Sequence, residues 1–411
     1  MAGTQRVLYI DPAANVGGSV ISLYQLIKGL NGGLYEPHVV LRASNPYASR
    51  FRELGVAVYI FGAGQPEAQG PARTLVAGAR HGRLARWLKR GSWGERLVHL
   101  IGFYVRAYPR LQREARELER ILRVVRPRLV HLNDVLCVNR AGILAARRAR
   151  VPAICHLRAM TERNHYDRWL SRSLRGFICI SHAVERHERS QGGRVGPSWV
   201  VYNGLDPAEF APEGDSQAVR AELGLAADTQ VVGCVGRLVP WKGQRVFLRA
   251  LARVAVGHPR LRALIVGAPE PGGEGYAREL AELARTLGLG ARVTFLGFRA
   301  DVLRLLAAMD VLVHASTDPE PFGRVLIEGM AAGKVVIGTD AGAVPEIIED
   351  GVTGMLVPVG DEGAMAQAIA RALDHPQEGA ALGGAARQAV ERRFTTAQYV
   401  QGVQRVYEEI L

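Results

Sequence analysis

Two doubly wound α/β domains, each a parallel sheet with helices on both faces, are what this sequence predicts, and three observations predict them. Short apolar runs alternate with longer amphipathic stretches along the whole chain, the pattern of strands joined by crossover helices. A length of 411 residues suits two ordinary domains, and a composition 48% apolar and 22% charged is that of a globular chain. Asn, Gly and Pro cluster near the middle, in "VYNGLDPAEFAPEG", as they do in a linker.

The first strand series reads "RVLYI", "EPHVVLRA", "VAVYIF", "RLVHLN", "VPAICHL", "GFICIS" and "SWVVYNG". A second series follows the linker: "TQVVGCVGRL", "RALIVGA", "RVTFLGF", "DVLVHAS", "KVVIGT" and "GMLVPV". The closing stretch "TTAQYVQGVQRVYEEIL" places a Thr at a helix cap and Tyr399, Val400, Val403, Val406, Tyr407 and Ile410 on one face, so it reads as a helix with one side to bury. The resulting division is 1–203, 204–391 and a final helix over 392–411. A basic insert over about 73–128 interrupts the first domain with more length than a simple crossover needs.

Several classes fall away. The opening "TQRVLYIDPAANVGGS" reads as a first strand rather than a secretory signal, so export is not expected. No apolar stretch approaches the roughly 18 residues that cross a bilayer. The four cysteines, Cys137, Cys155, Cys179 and Cys234, stand singly in apolar surroundings, as reduced thiols of a cytoplasmic protein do. Charge divides the chain: 32 basic and 13 acidic residues lie up to Leu205, against 20 and 26 beyond it. The first half is therefore the one suited to an anionic partner.

In open parallel sheets ligands bind beyond the carboxyl ends of the strands. Gly17 and Gly18 follow the first strand there, where a close backbone approach and a helix N-terminus attract an anion; a plain tight turn is the other reading. Their spacing is not the Gly-Xaa-Gly-Xaa-Xaa-Gly of dinucleotide oxidoreductases. In "CVGRLVPWKG", Arg237 and Lys242 bring two cations to one sheet edge, enough for two phosphates, unless they are solvated surface charges. Glu320 and Glu328 in "PEPFGRVLIE" would stand roughly 12 Å apart on one helix, too far to be an acid/base pair on one bond. Pro319, Pro321 and Gly323 instead put Glu320 in a loop and Glu328 two turns into a helix. Such carboxylates suit the hydroxyls at the two ends of an elongated ligand, with a phosphate near the N–H groups of Phe322 and Gly323 between them.

"EPFGRVLIEGMAAGKVVIGTDAGAVPEIIEDGVTGMLV", with "VGRLVPWKG", "VYNGLD", "FLGFRADV" and the two glycines after the first strand, resembles the retaining glycosyltransferase family 4 of the GT-B fold, most strongly over about 200–362. The resemblance implies two Rossmann-like domains facing a cleft, the first for acceptor and the second for a nucleotide-sugar donor, with the final helix crossing back to the first. It also implies transfer with retained anomeric configuration and no divalent metal, and no Asp-Xaa-Asp pair occurs in the chain. By the same resemblance Arg237 and Lys242 bind the donor diphosphate, with Gly236 beside them. Glu328 holds the ribose, Glu320 with Phe322 and Gly323 orients the sugar, Arg324 and Val325 belong to the same donor loop, and Phe298 and Arg299 lie by the base. His156 in "VPAICHLRAM" would contact the donor sugar near the reacting carbon, against the alternative of a satisfied structural histidine. Asn133, Asp134 and Arg158 are expected to contact the acceptor, Asn133 or Asp134 having a helix cap as its other reading.

The basic insert has three explanations: a solvated helical hairpin, a nucleic-acid surface without a recognisable module, or peripheral attachment to anionic lipid through Arg83, Arg86, Lys89, Arg90 and Arg96. The last suits a lipid-linked acceptor at the inner face of the plasma membrane. Three functional classes remain: a sugar transferase, with a UDP-sugar as first donor and GDP-mannose as second; a GT-B nucleotide-sugar epimerase, which would act without acceptor; and a nucleotide-sugar binding protein without turnover. No cofactor beyond the donor and no nucleic-acid partner is expected.

Overall fold

The computed structural model describes residues 4–13, 17–30, 32–42, 45–62, 107–192, 196–210 and 215–411. The five lipid-facing candidates of the basic insert lie outside these residues.

All thirteen apolar runs are strands, in two parallel sheets. The first has seven strands in the order β3 (Ala57–Phe61), β2 (Tyr35–Arg42), β1 (Gln5–Asp11), β4 (Leu129–Asn133), β5 (Ala153–Leu157), β6 (Gly176–Cys179) and β7 (Ser198–Val200), and the second six in the order β10 (Val293–Gly297), β9 (Leu261–Val266), β8 (Gln230–Val235), β11 (Val311–His314), β12 (Val335–Thr339) and β13 (Met355–Val357). In the first, β1 (Gln5–Asp11) lies between β2 (Tyr35–Arg42) and β4 (Leu129–Asn133), with β5 (Ala153–Leu157) next to β4. In the second, β8 (Gln230–Val235) and β11 (Val311–His314) are the central neighbours. The strand order reverses between β1 and β4 and between β8 and β11, and at such reversals the loops on either side part to leave a crevice.

Each sheet is buried on both faces. Leu8, Ile10, Val130 and Leu132 pack under the helix Tyr108–Val125, whose Leu111, Leu118, Leu122 and Val125 recur at helical spacing. The other face, with Val7, Tyr9 and Leu129, is covered by helix Gly18–Gly29 and by Val400, Val403, Val406 and Tyr407 of the last helix, Thr396–Ile410. That helix starts with a capping box in which Thr395 and Gln398 satisfy each other's free N–H groups. It reaches the first sheet because the chain crosses back beside the linker, where Leu205 and Thr395 form a bridge and Leu205 N donates to Phe394 O at 3.0 Å. Tyr202, Phe322 and Phe394 pack their rings together at this crossing, with centroids 5.4–6.1 Å apart. Among the described residues no helix is long and apolar enough to span a membrane.

Candidate active site

The site grows from the second sheet's reversal point. β8 leads into the loop carrying Gly236, Arg237 and Lys242, and β11 into the loop carrying Glu320, so the two strands that part there bring cation and carboxylate together. Lys242 Nζ lies 2.6 Å from Glu320 Oε2. The same oxygen accepts from His314 Nε2 at 2.9 Å and from Ser316 Oγ at 3.1 Å. Burial by itself would raise the Glu320 carboxyl, but the His314 hydrogen bond and the charge of Lys242 outweigh it and hold the group well below the usual carboxylate range. All three bonds fall on Oε2, which leaves Oε1 as the oxygen to accept from a ligand hydroxyl. His314 and Ser316 escaped the sequence reading; the one signal for them was a histidine closing an otherwise apolar strand.

Two glycines make this approach possible. Gly243, at φ +70°, would place a Cβ 1.7 Å from Ala315 O, so only glycine lets the Lys242 turn close on β11. Gly342, at φ +64°, would place one 2.3 Å from Glu320 O, and the backbone of Glu320 is in turn held by a hydrogen bond from Ala343 N at 2.8 Å.

The remaining donor candidates are placed as follows. Arg237 is largely exposed and ion-paired with Glu270. Its charge also acts on Asp134 of the first domain. Glu328, in helix Arg324–Ala331, pairs with Arg324 at 3.3 Å, and Arg324 also reaches Ser22 Oγ of the first domain at 3.3 Å. Gly18 lies directly against Arg324, a Cβ there meeting its Cδ at 3.5 Å, while Gly17 is the extended residue ahead of helix Gly18–Gly29. The Phe322 ring is buried in the crossing cluster, which leaves its backbone and that of Gly323, at φ +86°, for a ligand. Val325 follows in the first turn of the helix, half-buried. Phe298 is exposed, and Arg299 is engaged by Asp301 and Glu222.

Across the cleft the candidates of the first domain bind one another. Asn133 donates to Asp11 Oδ2 at 2.8 Å and accepts from Arg158 Nε at 2.9 Å. Arg158 also donates to Asn203 Oδ1 at 2.5 Å and to Tyr399 OH at 2.7 Å. His156 is completely buried; its Nδ1 lies 3.2 Å from His131 Nε2, and His131 Nδ1 lies 2.6 Å from the Tyr407 hydroxyl. Burial, helped by the Arg158 charge, pushes both imidazoles well below the usual histidine range, so both are neutral. Arg158 Nη2 stands 3.4 Å from His156 Nδ1, and His156 Nε2 has no hydrogen-bond partner among the described residues. It is Arg158, one residue beyond the end of β5, that lies nearer the surface. Asp134 sits at φ +83°, a left-handed conformation unusual for a side-chain residue, with its carboxylate turned onto the N–H of Val135. Burial raises Asp134, and raises Asp11 to about 6.

Comparison with known proteins places this geometry. The model for glycosyl transferases group 1 matches residues 215–389, and that for glycosyltransferase family 4 matches residues 16–209. D-inositol 3-phosphate glycosyltransferase of Mycobacterium tuberculosis is 40% identical over 172 residues, 41% of this chain; the match spans 35% of that enzyme's length. The crystal structure of Anabaena Alr3699/HepE in complex with UDP and glucose superposes with a TM-score of 0.79 at 27% identity, over 98% of this chain and 100% of that one. Sucrose-phosphate synthase of Thermosynechococcus elongatus, at 22% identity, shares the fold with a TM-score of 0.77 over 98% of each chain. With one family model over each sheet and two-domain neighbours along nearly its whole length, the chain belongs to the family 4 type of GT-B glycosyltransferases.

Proposed function

We propose that this protein transfers a sugar from a nucleotide diphosphate sugar to an acceptor hydroxyl, with retention of anomeric configuration and without a divalent metal. The observation that carries the reading is the contact of Lys242 with Glu320 at the sheet's reversal point, which joins a phosphate-binding cation to a carboxylate suited to sugar hydroxyls. A UDP-sugar is the first donor to test, since the Anabaena neighbour is described in complexes with UDP and with UDP-glucose; GDP-mannose is the second.

In this reading Lys242 and Arg237 lie against the diphosphate and stabilise the charge that develops as the bond from the anomeric carbon to the phosphate oxygen breaks. Arg237 exchanges its surface partner Glu270 for the donor. Glu320 Oε1 accepts from a sugar hydroxyl, Glu328 from the ribose, and the N–H groups at Phe322 and Gly323 meet phosphate oxygen. The acceptor oxygen bonds to the anomeric carbon on the face the phosphate leaves, and its proton passes to the departing phosphate oxygen, so that nucleoside diphosphate and glycoside are the products. On the acceptor side Arg158 and Asp134 present polar groups, and His156 supports Arg158 from beneath. A lipid-linked or cell-surface polysaccharide intermediate is the acceptor class, reached at the inner face of the plasma membrane with the basic insert against anionic lipid.

Nucleotide release across UDP-, GDP- and ADP-sugars, with and without EDTA and a polyprenyl-diphosphate-linked acceptor extract, tests the reading. Release that survives EDTA and is lost in Glu320→Ala supports it. Conversion of the sugar without any acceptor would replace it with an epimerase. For the insert, liposome binding that weakens with salt is expected, and equal retention on neutral and anionic vesicles would sink membrane attachment.

A further inference from the structure

The loop that carries Glu320 is held from two directions, and only one of them is its own domain. Within the second domain, Gly342 and Ala343 bond the Glu320 backbone. From the first domain, helix His182–Ser190 presents its N-terminus to the same place. Its cap residue, Ser181, is completely buried; the hydroxyl accepts from Val184 N at 3.1 Å and donates to Pro321 O at 2.7 Å, one residue from Glu320. The next two N–H groups of that helix, His182 and Ala183, donate to the two carboxylate oxygens of Glu346 at 2.8 and 2.6 Å. Glu346 follows Gly342 and Ala343 by a few residues in the turn Val344–Ile347, and Tyr202 OH and Arg186 Nη2 complete its shell at 3.2 and 3.4 Å.

A helix N-terminus leaves its first N–H groups without intrahelical partners and carries partial positive charge, so a carboxylate is the side chain that answers both. Here the carboxylate is supplied by the other domain, and the cap hydroxyl reaches back to the other domain's loop. We propose that Ser181 and Glu346 are positioning residues for Glu320, so that the acceptor-side domain sets where the transferred sugar sits while the nucleotide is held by the second domain alone. This rests on the donor reading given above. Ser181 and Glu346 act through Glu320 and touch neither nucleotide nor sugar; their removal loosens the sugar end of the site and leaves Arg237, Lys242 and Glu328 in place.

The test is a calorimetric titration of the wild type, Ser181→Ala, Ser181→Thr, Glu346→Gln and Glu346→Asp with nucleotide and with nucleotide sugar, UDP against UDP-glucose first and GDP against GDP-mannose second. Loss of a charge-assisted or bridging hydrogen bond corresponds to about a tenfold change. The expected result is nucleotide affinity unchanged in every variant, nucleotide-sugar affinity lower by about tenfold in Ser181→Ala and Glu346→Gln, and recovery in Ser181→Thr, which keeps the hydroxyl. Unchanged nucleotide affinity also shows that the second domain of each variant is folded. Parallel losses for nucleotide and nucleotide sugar, or no loss of either, would overturn the proposal. A wild type that binds neither pair strikes down the donor reading itself, and this inference with it.

Discussion

The two walls of the cleft are built on opposite principles. On the donor side, charged groups are joined in ion pairs that a ligand can share or exchange: Lys242 with the buried Glu320, the half-buried Arg324 with Glu328, and the exposed Arg237 with Glu270. On the acceptor side, Asp11, Asn133, His131 and His156 are completely buried and their polar atoms are turned on one another, Arg158 being the member that approaches the surface. The donor wall is assembled from ion pairs at the ends of β8 and β11 and in the helix that follows, with Arg237 and Glu270 the pair that is exposed. The opposite wall is a buried polar network whose groups bond one another, with Arg158 at its edge. Mutations should therefore act locally and on ligand affinity on the first wall, and through the whole network on the second.

Lys242→Ala breaks the donor wall at its centre and carries the largest expected effect, about a thousandfold loss of nucleotide release, or roughly 4 kcal/mol. In the function proposed above it removes a cation from the diphosphate, and it leaves the buried Glu320 carboxylate short of its charge partner. Steady-state rates that fall less than tenfold would place the phosphate grip elsewhere. Gly243→Ala attacks the same wall through its backbone. A Cβ overlapping Ala315 O at a left-handed φ should cost about 3 kcal/mol of stability, read as an earlier denaturation midpoint with nucleotide affinity lost alongside.

Arg158→Lys sharpens the contrast. An ammonium cannot reproduce the fork that binds Asn133, Asn203 and Tyr399 together, so turnover should fall about 10- to 100-fold while nucleotide affinity stays at the wild-type value. A parallel fall in nucleotide affinity would erase the distinction between the walls. Asp11 gives a pH signature of the buried plate. Its folded value of about 6 lies above the ordinary aspartate value, so the folded chain keeps a proton that the unfolded chain has released. Its contribution to stability therefore declines as pH rises from about 4 to about 6 and is level above that, at no more than about 1.4 kcal/mol per pH unit. Asp11→Asn should remove this slope when denaturation is compared between pH 4 and 7. The smallest effect is expected for Tyr407→Phe, which takes one hydroxyl from His131 and should cost about 1 kcal/mol of stability with nucleotide affinity unchanged.

Both sheets were legible in the chain because each of their strands is a short apolar run between turn residues, and strands buried on both faces have to be apolar. The donor wall was legible for a related reason. Loops of charged residues with glycines at close approaches keep their identity in one dimension, as Arg237, Lys242, Glu320 and Glu328 do within two short stretches. What escaped was pairing over long distances. Nothing near His131 in the chain signals Tyr407, 276 residues away, and nothing near Ser181 signals Pro321 or Glu346. His156 reads along the chain as a strand-end histidine; its burial beneath Arg158 follows from the last helix laying Tyr399 and Tyr407 across that face of the sheet.

By itself the sequence determined the two-domain α/β plan, the strand series, the capped final helix and the charged, glycine-bearing loops of the second domain, because alternation, capping and turn chemistry are local properties of neighbouring residues. The tertiary structure alone decided which oxygen of Glu320 is occupied, which histidine is buried, and that one domain's helix N-terminus bonds the other domain's Pro321 and Glu346. Those outcomes depend on directed hydrogen bonds and burial between residues far apart in the chain, and such contacts exist only once the two sheets have folded and closed on each other.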